Sequence, residues 1–526
     1  MASQHVPAPS STASAFPFSL SGTEAFAFPE LTTRTLLGSI LTVVASILIF
    51  EQINYRNKKQ HLPGPTWTIP IIGKFLNSLH PTMEVYKAQF AQGELSAFSV
   101  FHLFLVMAVS NRVARKIFNS PDYAEPCLVA SAKQVLLPEN WVFLHGKVHA
   151  EYRRALNVLF TRKALSIYLP IQEKIYRRYF NEWMNDPDTE PKPYMMVMRD
   201  LNMETSLRVF CGEHMSEEEQ FAISDKYWLI TCALQLVNFP LALPGTKVYN
   251  AIKARKIAMT ILEDVSAKSK RSMAEGNEPT CLIDAWMKEM IDAKAGKGES
   301  SAEERRALSR EFSDHEIAMV VLSFLFASQD AMTSALVNTF ELLADHPEIL
   351  AKVREEQYYV RHNDVDAPLS FNQMDEMVYT RAMVKEALRL IPPVIFVPYL
   401  TLKPFPILPD YTVPKGTMLI PSLWPSCHDE TIYPEPDSFV PERWLEKGGS
   451  AEANPKNYMV WGAGAHKCIG FEYAYMHLAA CVGTASVTMD WHHKITPDTG
   501  KFQVIATLFP KDGLHLKFTP RPKPSF

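Results

Sequence analysis

The stretch from Asp314 to Pro347, DHEIAMVVLSFLFASQDAMTSALVNTFELLADHP, is apolar on nearly every side. A helix with no polar face has to be enclosed by other elements, so this run demands a large protein folded around it. Ser313 or Asp314 can cap its start. Pro347 ends it and suits the first position of the next helix, PEILAKVREEQ. Polar residues interrupt it at Ser328, Gln329 and Asp330. A carboxylate at such a place is costly unless it is paired or working.

The rest of the chain can supply the enclosure. It has 526 residues, 47% of them hydrophobic and 21% charged, which allows a large globular core. AEYRRALNVLFTRKALSIYL and QEKIYRRYFNEWM are amphipathic at helical period. Strand-like pieces cluster late: FVPYLTLKPF, GTMLIPSLW, FQVIATLFP and LHLKFTP. The pattern predicts a mainly α fold with small β-sheets, an α+β architecture and not an alternating βα array. No second linker or repeat breaks residues 81–526, which are expected to form one large catalytic domain. The net charge of −4 excludes a general nucleic-acid binder. The 7 scattered cysteines, with no CxxC spacing, point to a reducing compartment.

Ahead of this domain, residues 1–33 are rich in Ser, Ala, Pro and Phe and are expected to be a flexible segment. The run TLLGSILTVVASILIF, between Arg34 and Glu51, is free of charge. It covers about 24 Å as a helix, near the roughly 27 Å hydrocarbon core of the endoplasmic-reticulum bilayer. Residues 34–55 are therefore expected to be a single transmembrane anchor. Arg56, Lys58 and Lys59 follow at once and place the body in the cytosol. Residues 56–80, with HLPGPTWTIPIIG, form a basic and Pro-rich linker.

The remaining question is Cys468, in NYMVWGAGAHKCIGFEYAYM. Trp461, Gly464, His466 and Gly470 surround it in a turn that runs into a helix. The glycines allow close backbone approach, and the helix N-terminus favours a thiolate. Lys467 excludes a dinucleotide GxGxxG. An inert thiol, a nucleophile and a metal ligand all remain open on these residues alone.

WGAGAHKCIG resembles the haem-binding loop of the cytochrome P-450 superfamily, FxxGx(R/H)xCxG, with Trp461 in the place of Phe. KEALR resembles its ExxR pair, Glu386 and Arg389, and PERW supplies Arg443 of the same structural cluster. GKVHAEYRR resembles the helix whose basic residues meet a haem propionate. The resemblance implies the P-450 fold and haem b (iron protoporphyrin IX), with Cys468 as axial thiolate on iron. It also implies haem contacts from His466, Arg153, His149, Gly464, Gly470 and Trp461. FASQDAM aligns with the oxygen-activation motif, giving Asp330, Ser328 and Thr333 as catalytic residues. Ala331 stands where that motif has threonine, and Ser334 is a further substitute hydroxyl.

The longer stretches RKIFNSPDYAEPCLV, FLFASQDA and IPPVIFVPYLTLKPFPILPDYTVPKGTMLIPSLWPSCHD are similar to the sterol C-22 desaturase branch of ergosterol synthesis. That branch carries the same alanine. The similarity implies a C-22(23) side-chain double bond made with O2 and electrons from an NADPH-dependent reductase. Lys467, Arg154, Arg162 or Lys163 would meet that reductase. Phe324, Ala327, Ile395, Phe396, Leu508 and Phe509 would touch the sterol, with Cys127 to Leu137 as a further wall. The expected state is monomeric, in the endoplasmic-reticulum membrane. Hydroxylation or demethylation of another lipid, and non-catalytic haem or sterol binding, are the competing readings.

Overall fold

The computed structural model describes residues 33–69, 72–73, 82–100, 103–127, 129, 131–234, 241–297, 301–505 and 507–522. The flexible segment expected over 1–33 lies outside these, except for Thr33, as does much of the linker beyond residue 69. In chain order, the elements that place the site begin with α1 (Thr33–Lys59), β1 (Leu95–Val100), β2 (Leu103–Ala108) and β3 (Ala124–Pro126). Next come α2 (Gly146–Asn157), α3 (Arg162–Met184), β4 (Lys192–Pro193), α4 (Met195–Cys211), α5 (Glu217–Ala233) and α6 (Lys247–Ala274). Then follow α7 (Asp314–Asp345), α8 (Val378–Leu390), β5 (Tyr399–Thr401), β6 (Phe405–Leu408), β7 (Tyr411–Val413) and β8 (Met418–Pro421). The last are α9 (Phe471–Thr488), β9 (Met489–His493), β10 (Phe502–Ile505), β11 (Thr507–Pro510) and β12 (His515–Pro520).

Helices dominate and the sheets are small. The larger sheet has the order β1-β2-β8-β5-β3, in which only the β2–β8 pair is parallel. The others are β4-β12-β9, the hairpin β10–β11 and the hairpin β6–β7. Each strand-like piece of the last third becomes one or two of these strands. Parallel pairing of β2 with β8 joins residues some 300 apart, so register here is set by burial and not by a turn.

The enclosed helix is α7, which is 32 residues long and packs against α4 and α6. Ser313 is its N-cap. The Ser313 hydroxyl accepts from the Glu316 amide, while the Glu316 carboxylate accepts from the Ser313 amide. This reciprocal box satisfies two otherwise orphaned donors. Among the described residues, α1 and α7 are both long and apolar enough to cross a membrane, but burial separates them. The apolar window of α7 is 78% buried, as a core helix should be, and that of α1 only 6%.

The chain divides into two compact units, residues 1–50 and 51–526. Helix α1 runs to Lys59, beyond the boundary at 55 expected from hydropathy, so the first basic residues sit in its last turn. The described start of the linker belongs to the larger unit. Tyr55 is buried and donates to the Pro65 and Ala97 carbonyls, and Gln52 donates to the Thr68 carbonyl. Proline stiffens this segment, and these bonds tie it down.

Two buried imidazoles outside the cysteine loop give the fold an acid limit. Burial pushes His428 down to about 4 and His477 to about 3. Their unfolded values lie near 6.5, so the unfolded chain binds protons first as pH falls. Stability from this source is complete above about pH 6.5 and is lost on acidification towards 4. Urea midpoints are expected to fall across that window, and His428→Phe is expected to flatten the slope. An unchanged slope would assign the acid limit elsewhere.

Candidate active site

The cysteine loop is shaped by two left-handed glycines, Gly462 (φ +66°) and Gly464 (φ +71°). A Cβ on Gly464 would lie 2.2 Å from the Phe118 carbonyl oxygen, so both conformation and space require glycine. Gly464→Ala is expected to cost about 1–3 kcal/mol from the backbone conformation alone, with the backbone clash added. A urea-midpoint shift smaller than this would refute the argument. Gly470 is different. It is the N-cap of α9 at φ −91°, and a Cβ there would meet only the Phe160 ring at 3.8 Å. Its contribution is its amide, which is directed at the Cys468 sulfur.

The Cys468 amide donates to the Trp461 carbonyl at 2.9 Å and closes the loop. Cys468 is exposed, yet protein crowds it closely enough that desolvation is the first cause raising its thiol. Those two facts together describe a sulfur on the wall of a recess. The Gly470 amide, Arg153 and Lys467 pull in the opposite direction without prevailing. The helix-terminus effect expected from sequence is therefore present but outweighed by burial.

Beside the sulfur, ring pairs form a column. His149 and His466 lie 4.0 Å apart, and His149 stacks on Trp141 at 6.0 Å. Trp141 and Phe160 both meet Phe324 of α7 edge-on. Burial first, then the neighbouring positive charge, holds both His149 and His466 down at about 4, so they are neutral. Arg153, one turn after His149 on α2, is partly buried. It has no hydrogen-bond or ion-pair partner among the described residues, and desolvation lowers its pKa. A guanidinium so placed calls for an anion.

Glu386, Arg389 and Arg443 lie together in one ion-pair cluster. Arg389 grips Glu386 through two bonds of 2.9 Å, and Arg443 adds a third at 2.9 Å. Sequence reasoning missed Trp444, whose indole N–H also donates to Glu386 at 2.9 Å.

On α7 the burial pattern breaks at one face. Ala327 is exposed and Ala331, one turn on, is partly exposed, as are Phe326 and Ser328, while the rest of residues 317–340 is buried. Ser328 adjoins that face and exchanges a hydrogen bond with Ser206 at 3.1 Å. Asp330 does not stand free. Arg199 holds it at 3.2 Å, and both side chains are 6% exposed. Burial still raises the Asp330 carboxyl, with Arg199 opposing. Thr333 faces away from the 327/331 side. It donates to the Gln329 carbonyl at 2.6 Å and accepts from Asn202 at 3.1 Å. Ser334 donates to the Leu508 carbonyl. The partners Arg199, Asn202 and Ser206 share one stripe of the Met- and Leu-rich α4. That i, i+3, i+7 run of polar residues was the signal available in the sequence.

The nominated wall residues spread around these elements. Phe324, Ile395, Leu508 and Phe509 are buried, and Phe396 is partly exposed against Tyr86. Leu508 is tied to the 393–398 segment by its amide bond to the Pro393 carbonyl at 3.0 Å. Cys127 is fixed by an amide bond to the Pro398 carbonyl at 3.0 Å. Of the four basic residues nominated for a partner, Arg154 pairs with Glu303, Arg162 with Asp375 and Lys163 with Glu289. Lys467 is exposed and lies over the Phe471 ring.

A thiol in a glycine loop, an unpartnered guanidinium and an apolar helix face fit a haem group held by sulfur and by its acidic substituents. The family model for cytochrome P450 matches residues 62–495, and the chain belongs to that family of haem-thiolate oxidoreductases. Among its relatives, the C-22 sterol desaturase of Aspergillus fumigatus is 46% identical, covering 91% of this chain and 93% of its own length. That of Saccharomyces cerevisiae is 43% identical, covering 93% and 91%. A cytochrome P450 monooxygenase of Emericella variicolor, oblE, is 42% identical over 91% and 92%. A solved structure of a cyanobacterial P450, CYP120A1, bound to retinoic acid superposes with a TM-score of 0.75 at 22% identity. It covers 88% of this chain and 99% of its own, and shares the fold.

Proposed function

We propose that this chain is a membrane-anchored sterol C-22 desaturase that introduces a 22,23 double bond into a sterol side chain. The observation that carries the reading is the similarity to C-22 sterol desaturases, which runs over nine tenths of both chains. The balanced reaction consumes the sterol, O2, NADPH and a proton, and yields the alkene, NADP+ and two waters. Haem b, when bound, supplies the dioxygen and one-electron chemistry.

The protein's own residues bind, orient and restrict. Cys468 is the ligand, and a metal ion on its sulfur would deprotonate it outright, reversing the effect of burial. Arg153 and His466, with His149 behind, are suited to the haem carboxylates. Ala327 and Ala331 leave a smooth apolar face on which a sterol side chain can lie without a competing hydroxyl. Of the three residues nominated as catalytic, Ser328 alone combines partial exposure with a hydroxyl, and it is hydrogen-bonded to Ser206. Asp330 is held by Arg199, and Thr333 serves the α4–α7 contact. Electrons would come from an NADPH-dependent reductase, with Lys467 the nominated cation that no acidic side chain among the described residues engages. Helix α1 would cross the endoplasmic-reticulum membrane once, with a monomeric body in the cytosol.

A second reading has its own support. The Emericella variicolor relative, named a monooxygenase, is almost as similar, which favours oxygen insertion into another lipid. Product analysis separates the two. The purified chain, with reductase and a sterol saturated at C-22, is expected to give the 22,23-alkene. A stable 22-hydroxy product without alkene would overturn the desaturase reading.

A further inference from the structure

Where α3, α4 and α9 meet, a buried polar cluster lies beside the haem recess, and one hydrogen bond joins α4 there to α7. We propose that Tyr473 and Ser206 are positioning residues that, with ordered water held in this cluster, aim the Ser328 hydroxyl into the haem recess and supply there the donor that Ala331 lacks.

Helix α3 presents Tyr168, Gln172 and Tyr176 at successive turns of one face, and α9 presents Tyr473 and His477 one turn apart. All five side chains belong to residues no more than 5% exposed. The Tyr473 ring lies 6.3 Å from that of Tyr168 and 6.2 Å from that of His477. Tyr176 pairs with His477 Nδ1 at 2.7 Å. The rest of the cluster is unserved. The Tyr168 and Tyr473 hydroxyls, both ends of the Gln172 amide and His477 Nε2 have no hydrogen-bond partner among the described residues. Buried polar atoms are almost always satisfied by protein or by ordered water. A buried water needs about two to four polar partners, and these side chains offer them.

The cluster reaches α7 through α4. Phe210, one turn after Ser206, contacts both the Tyr473 ring and Phe324 of α7, each at 6.1 Å. Tyr473 therefore abuts this turn of α4. Burial raises the Tyr473 hydroxyl, and Gln172 and Ser206 both oppose it, which sets the two side chains beside its oxygen. The Ser206 hydroxyl lies 3.1 Å from that of Ser328. The other bond of Ser328 runs to the Leu325 carbonyl of its own helix at 3.3 Å, long for a hydroxyl donor. A hydroxyl gives one proton and accepts two. With Ser206 donating to Ser328, the single Ser328 O–H can leave that long bond and turn to the recess, where the residue is partly exposed. Tyr473 donating to Ser206 fixes this order, and hydroxyls in series polarise one another in one direction. Neither Asp330 nor Thr333 offers the same, since Arg199 holds the first and the Gln329 carbonyl takes the proton of the second.

The proposal rests on the haem site and not on which product forms, and its test needs no sterol. The full-length holoprotein in detergent micelles is reduced and treated with carbon monoxide, and the C–O stretch is read by infrared spectroscopy. A donor turned towards the bound gas lowers this stretch. Ser328→Ala is expected to shift it to higher wavenumber, and Ser206→Ala and Tyr473→Phe to shift it the same way by less. In the Ser328→Ala background the other two changes should add nothing, because both act through that hydroxyl. Thr205→Val, on the same buried turn of α4, removes a hydroxyl bonded to the Leu201 carbonyl and is expected to leave the stretch unchanged. Gln172→Met is expected to lower the thermal midpoint, because water serves its amide. A rise would mean that the amide was unserved and the cluster dry, and would overturn the water assignment. Haem absorbance establishes that each variant is folded. No shift in any of the three single variants, effects of Ser206→Ala or Tyr473→Phe that persist in the Ser328→Ala background, or an equal shift in Thr205→Val overturns the proposal.

Discussion

Cys468→Ala is expected to give a folded chain whose reduced, carbon-monoxide-treated form lacks the red-shifted Soret band. Sterol turnover should fall on the order of a thousandfold or more, about 4 kcal/mol in barrier. The argument is one of donor chemistry. A thiolate pushes electron density to iron, and no other side chain at this loop can. His466 is the nearest alternative ligand, two residues away. Burial holds it down at about 4, so it is neutral and its lone pair is free. Haem retained by Cys468→Ala would thus be ligated by imidazole or water, and its spectrum would say so. The fold should survive, because the loop is held by the Cys468 amide and not by its sulfur. A red-shifted band that persists in the variant would remove Cys468 from iron and with it the haem-thiolate reading of this chain.

What the sequence disclosed depended on range. The enclosure of α7, its cap and its end at Pro347 are local consequences of apolar period and capping chemistry, and they stand where the pattern places them. The i, i+3 spacing of Glu386 and Arg389 likewise required only a helix. The partner of Asp330 did not follow. Arg199 lies 131 residues earlier, and nothing in the α7 segment points to it. Only the polar stripe on α4 hints that a second buried helix must meet Ser328, Asp330 and Thr333. Spacing also gave Thr333 and Asp330 similar standing as catalytic groups, because one helix turn looks alike from every side. Packing decides which side faces the recess, and it exposes Ala327 and Ala331. Gly464 and Gly470 looked equivalent for a similar reason, since φ and the Phe118 carbonyl cannot be read from a one-letter code.

Glu386→Gln and Arg389→Ala are each expected to destabilise the protein by about 3–5 kcal/mol, against a total of only about 5–15 kcal/mol. The Glu386 carboxylate accepts from Arg389, Arg443, Trp444 and the Val440 amide, and both Glu386 and Arg389 are completely buried. Removing its charge leaves two guanidiniums in the interior without compensation. The damage travels, because Arg389 also donates to the carbonyls of Cys427, Pro436 and Ser438 and so fixes the approach to the haem loop. The Cys427 sulfur in turn receives the Met459 and Val460 amides, next to the Trp461 carbonyl on which the Cys468 amide rests. Loss of Arg389 should therefore lower both the urea midpoint and the yield of thiolate-ligated haem. Lys352→Ala serves as the contrast, since the Lys352–Glu442 pair is about half exposed and should contribute about 0–1 kcal/mol. The coupling between Glu386→Ala and Arg389→Ala in a double-mutant cycle should exceed that between Lys352 and Glu442 severalfold. If Glu386→Gln stays within about 1 kcal/mol of wild type, the cluster is a bystander and the loop is held by its backbone bonds alone.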